Sequence, residues 1–138
     1  MTPKEECEEL FNFLILFARD QLKKYGEFYP FGAVLQNKDD ITATAFYDDD
    51  NDFPDCTEVI RFLTEAHRKD AENGEINASG ICWNAKVHLK NGVYSDAIII
   101  SLEHREDYSV IMGQSYRFEK KGLHLGDVFA LKGRHDIF

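Results

Sequence analysis

Apolar and polar residues alternate most regularly between positions 81 and 118. Ile81, Trp83, Ala85, Val87 and Leu89 fall on one face at a two-residue period. Beyond Asn91-Gly92, Ile98, Ile100 and Leu102 share a face and Ala97 and Ile99 take the other. Beyond Glu106-Asp107, Val110 and Met112 oppose Ile111. Asn-Gly between two such runs predicts a two-residue type I′ turn, because both residues tolerate positive φ. That turn sets Lys90 against Val93 and His88 opposite Ser95. The prediction is an antiparallel three-stranded meander with a middle strand apolar on both faces over 97–102, hence covered on each side.

The period changes before the meander. Over 2–25, Leu10, Phe13, Leu14, Phe17, Ala18, Leu22 and Tyr25 recur at helical spacing, with Phe11, Ile15 and Leu16 widening the stripe. Thr2, Pro3 and Glu5 spell an N-cap, a first-turn proline and a capping box, and Gly26 is a stop signal. The wide apolar surface suits a helix covered on two sides, or a homodimer formed through this helix. Positions 31–36 and 41–47 read as a hairpin. A second helix starts at Asp55, with Glu58 three residues on, carries Val59, Ile60, Phe62, Leu63 and Ala66, and stops at Asn73-Gly74. Positions 122–138 read as loop plus a short strand or terminal arm. The expected fold is a single α+β domain over 1–138, in the order α-β-β-α-β-β-β. Its antiparallel sheet has about five strands, with the helices mainly on one face. By analogy of element order it is similar to the roadblock and profilin-like scaffolds, which does not license a function.

Composition narrows the partners. The net charge is −9, from 25 acidic and 16 basic residues. That repels phosphate backbones and anionic lipid surfaces, so neither nucleic acid nor membrane is expected, while a basic protein is attracted. Cys7, Cys56 and Cys82 are odd in number and widely spaced, without C-x-x-C, which points to free thiols in the cytoplasm. The acidic start of the chain lacks a signal-peptide layout, and the apolar run 10–18 is too short to span a bilayer.

Few residues suggest chemistry. Asp48, Asp50 and Asp52 alternate like the start of a calcium loop, but Phe53 replaces the turn glycine and Val59 the bidentate acid. Asp48, Asp49, Asp50, Asp52 and Asp55 are therefore candidates for docking a basic partner instead. Glu103, His104, Tyr116 and Trp83 are the candidate cleft residues, although adjacent Glu103 and His104 point to opposite faces of a strand. Cys56, near a helix start, is the one cysteine in a setting associated with reactivity. The five histidines include no pair at metal-binding spacing, so no metal and no cofactor are expected.

Pro30 with Phe31-Gly32-Ala33-Val34 resembles a strand of zinc-dependent cytidine and guanine deaminases. Those enzymes need a His-x-Glu or Cys-x-Glu and a Pro-Cys-x-x-Cys. Here Pro54-Asp55-Cys56 has no second cysteine, and His67 is followed by Arg68-Lys69. The segment 28–35, with Asp96-Ala97-Ile98 and Leu102-Glu103-His104, resembles a family of small bacterial proteins without an assigned activity. That resemblance implies an α+β domain and no catalytic residue. The favoured expectation is a non-enzymatic protein-binding domain with an acidic surface, such as an immunity-type protein facing a basic toxin. The alternative is a small-molecule or sensory domain with a pocket between sheet and helices, and an enzyme built on the cleft residues comes after both.

Overall fold

The computed structural model describes residues 2–36, 40–45, 55–89 and 92–138. Helix α1 (Pro3–Tyr25) begins with the expected capping box: Glu5 N donates to Thr2 Oγ1 at 3.1 Å and Thr2 N reaches Glu5 Oε1 at 3.4 Å. It ends at Gly26, whose φ is 75°. Strands β1 (Phe31–Gln36) and β2 (Asp40–Ala45) form the hairpin. Helix α2 (Cys56–Glu72) follows, with Asp55 as N-cap accepting from Thr57 N at 2.8 Å. Then come β3 (Ile76–His88), β4 (Tyr94–His104), β5 (Tyr108–Glu119) and β6 (Gly122–Lys132). The sheet is antiparallel throughout, in the order β2-β1-β3-β4-β5-β6.

The sheet has six strands where about five were expected, and the sixth lies in the tail. Leu123, Leu125, Phe129 and Leu131 are all odd-numbered, yet they do not share a face. A bulge opposite Gln114 and Tyr116 inserts a residue, so Leu125 faces Tyr116 whereas Phe129 faces Gly113. The switch of phase hides the strand from a simple period.

The β3–β4 connection also differs from the two-residue turn. Leu89 N donates to Val93 O, Gly92 N donates to Leu89 O, and Gly92 takes φ 81°. Leu89 therefore faces Val93 and His88 faces Tyr94, a register one residue away from that of a type I′ turn. A slip of one exchanges the faces of a strand. Cys82 thus stands beside Ile100, and Trp83 beside Ile99.

Strand parity then places the helices on opposite faces of the sheet, not mainly on one. The α1 side buries Leu10, Leu14, Ala18 and Leu22 against Ala33, Leu35, Ala78, Cys82, Ile98, Ile100 and Leu102. Gly80 admits the helix: a Cβ there would come within 2.5 Å of Leu14 Cδ1. The α2 side buries Val59 and Leu63 against Ile81 and Ile137, with Trp83 beside them. The stripe of α1 is rotated from the expected one, leaving Phe13 (37%), Leu16 (61%), Phe17 (45%) and Tyr25 (70%) exposed. No helix among the described residues is long and apolar enough to cross a membrane.

Candidate functional site

Helix α2 turns Val59, Leu63 and His67 inward, one residue every helical turn. His67 is fully buried. Its Nε2 lies 2.8 Å from Thr44 Oγ1 on β2, and its Nδ1 lies 2.7 Å from Ser79 Oγ on β3. Strand β1 runs between those two strands, and Gly32 leaves the room. A Cβ on Gly32 would sit 2.9 Å from His67 Cε1 and 2.8 Å from Thr44 Oγ1. Burial pushes the imidazole down to about 4, so the ring is neutral near pH 7. One nitrogen then donates to its hydroxyl and the other accepts. A histidine beside a serine has the outline of a base and nucleophile. Here the second ring nitrogen meets a hydroxyl instead of a carboxylate, and Ser79 is itself buried. The arrangement joins β2 to β3 through one ring and lacks the carboxylate that orients the histidine of a catalytic triad.

On the same face, directly opposite Ser79 in the β3–β4 pairing, stands Glu103, which is buried. A buried carboxylate needs donors. It finds them in the segment 133–138, which folds back from β6. Asp136 N donates to Oε2 at 2.8 Å and Ile137 N to Oε1 at 3.0 Å, with Phe138 N at 3.5 Å. Arg68 Nε on α2 donates to Asp136 O at 2.7 Å. Beside this segment lies a pocket of about 260 Å³, walled by Trp83, Ile60, Ile81 and Ile137 and edged by Ser79, Ser101, Thr64 and Arg134.

The four expected cleft residues do not meet. Glu103 and Trp83 border the pocket on the α2 side. His104 and Tyr116 lie on the α1 side. There His104 Nδ1 accepts from Glu106 N at 3.0 Å, and its Nε2 makes no hydrogen bond and points toward Glu6 Oε1, 3.5 Å away. Tyr116 donates to Asn84 Oδ1 at 2.7 Å, and burial, with Asp96 adding to it, raises the phenol to about 12. The sheet separates the two pairs. An enzyme centred on Glu103, His104 and Tyr116 therefore has no common cleft. Among the described residues, no three His, Cys, Asp or Glu side chains gather around a metal position.

Of the acidic docking candidates, Asp48, Asp49, Asp50 and Asp52 lie outside the described residues, and Asp55 is occupied as the cap of α2. Another set of carboxylates does come together. The contact of Glu6 with His104 brings the first turns of α1, with Glu5, Glu6, Glu8 and Glu9, to the β4–β5 turn that carries Glu106 and Asp107. Tyr108 feels this neighbourhood: burial raises its phenol, and Cys7 and Glu8 add to the rise.

No family model, no curated protein and no solved structure matches the chain. Two residues central to the α2 side carried no sequence signal of their role. His67 stands out only as a polar residue in phase with Val59 and Leu63. Ile137 lies beyond any periodic run.

Proposed function

We propose that this chain is a cytoplasmic, non-enzymatic domain that binds a basic protein, in the manner of an immunity-type protein facing a toxin. The observation that carries the reading is the acidic end. Carboxylates of α1 and of the β4–β5 turn share one pole of a chain with net charge −9. Such a pole steers a cationic partner and fixes its approach. The three free cysteines fit a reducing compartment. The helix–hairpin–helix–meander order favours a roadblock or profilin-like relative, and the 28–35 segment a likeness to small bacterial α+β proteins. Neither carries an activity.

The test is capture of a basic protein from the source cell, followed by a salt titration and by charge reversal at Glu8 and Glu106, both exposed. Binding that weakens by at least about tenfold on raising salt to near-molar levels, and again in the Glu8→Lys, Glu106→Lys chain, supports the reading. Binding indifferent to both changes sinks it.

A second reading, a small-molecule domain, has its own observation in the pocket of about 260 Å³. That is slightly below the range of about 300–1,000 Å³ typical of ligand sites. Homodimerisation through α1 rests on the exposed row of Phe13, Leu16 and Phe17, and sedimentation of a concentrated monomer would dispose of it.

A further inference from the structure

The segment 133–138 is held in a particular way. Its main chain supplies the polar contacts: the N–H groups of Asp136 and Ile137, with that of Phe138 at 3.5 Å, to Glu103, the N–H of His135 to Ser109 Oγ, and one carbonyl to Arg68. One side chain supplies the apolar contact, since Ile137 is 7% exposed among Val59, Leu63 and Ile81. Arg134, His135, Asp136 and Phe138 remain exposed. A carboxylate acceptor, a guanidinium donor and an aliphatic slot together recognise any extended chain that offers two N–H groups, a carbonyl and one branched apolar residue. This is main-chain recognition with a single side-chain anchor.

The segment does not fill the space it lies in. The pocket of about 260 Å³ runs along one side of Asp136 and Ile137. A second, more open one of about 590 Å³ lies along the other, against Arg68, Ala71 and Glu72. His135 takes a φ of 55°, a conformation that costs a residue with a side chain. The occupant is thus narrower than its groove and bent to enter it. If it leaves, Glu103 gains water, so its desolvation does not oppose opening.

We propose that the groove between α2 and the sheet is a peptide-binding site, that segment 133–138 occupies it as a built-in stand-in, and that an extended segment of a partner protein with an Ile-like anchor displaces it. This rests on a different part of the molecule from the acidic end and stands or falls separately.

The probe is a labelled peptide with the sequence of 133–138, Gly-Arg-His-Asp-Ile-Phe, and a control with Asp in place of Ile. In the unaltered chain, excess peptide is expected to speed hydrogen exchange at the Asp136 and Ile137 amides several-fold, while amides of β3 and β4 stay unchanged; the control peptide has no effect. Unchanged exchange at 136 and 137 overturns the proposal. In the full chain carrying Ile137→Asp, the peptide is expected to bind about tenfold or more tightly than in the unaltered chain, because the competitor is gone. Adding Glu103→Gln to that chain is expected to weaken binding about tenfold by removing a charged acceptor. A folded Ile137→Asp chain that binds no better overturns the proposal, and if that variant does not fold, the exchange measurement on the unaltered chain decides. Dimers that exchange the segment between copies, with no response to peptide, would assign the groove to a second copy and overturn the partner reading.

Discussion

Thr44 and Ser79 stand on strands that do not touch, yet the imidazole of His67 joins them, with 2.8 Å to the first hydroxyl and 2.7 Å to the second. Burial keeps that ring neutral, and this sets a pH dependence. Burial lowers His67 from 6.5 to about 4, so between those values the unfolded chain holds the proton more readily than the folded one. Its contribution is complete above 6.5 and is lost as pH falls toward 4, a loss of about 3 kcal/mol in all. Denaturant titrations across that range should show it, and His67→Gln should flatten this part of the profile. An unchanged slope in the variant would mean that another group titrates.

Gly32→Ala should destabilise the protein by about 1–3 kcal/mol, because the new methyl meets Gly80 O and Thr44 Oγ1 at 2.8 Å and the imidazole at 2.9 Å. A chemical-denaturation midpoint is the readout. Because the clash disturbs the bridge, the acid loss of stability should also shrink in this variant.

Tyr116 predicts an opposite, alkaline effect. Its phenol is raised from 10 to about 12, so the folded chain keeps a proton that the unfolded chain releases. Stability is full below 10 and falls as pH rises toward 12. Tyr116→Phe should remove that fall and should cost about 1–2 kcal/mol at neutral pH, since Asn84 Oδ1 loses its donor.

The thiols should separate cleanly. Cys56 is exposed, whereas Cys7 and Cys82 are buried. Burial, then Glu6 and Glu103, raise Cys7 to about 12, and burial raises Cys82. A thiol reagent is expected to modify Cys56 quickly in the native protein and the other two only in denaturant. Rapid modification of Cys7 in native protein would contradict the packing of α1 on the sheet.

Much of the architecture was legible because it rests on local rules. Thr2, Pro3 and Glu5 form the capping box that their spacing predicts, and Asp55 caps α2. The alternation within β3 and β4 was also readable. What it could not supply was the phase between them: Asn91-Gly92 is compatible with two loop lengths, and the longer one moves Trp83 from Leu102's side to that of Ile99. The bulge in β6 defeated periodicity in the same way. The candidate cleft failed on a cross-sheet question, because strand position alone cannot say which helix covers which face. Its half made of Glu103 and Trp83 does border a pocket, through the folded-back Ile137 that no pattern announces.

The topology has one seam. Neighbours β1–β2, β3–β4, β4–β5 and β5–β6 are successive in the chain, but β1 and β3 are joined only after the excursion through α2. A hairpin and a four-strand ribbon can each zip up from nearby contacts, whereas the join between them must wait for a longer loop to close. His67 sits astride that join, one hydroxyl on each side, so it acts as a rivet between the hairpin and the ribbon. Mechanical or thermal stress should part the molecule there first, releasing the β1–β2 hairpin while the ribbon of β3 to β6 is still intact.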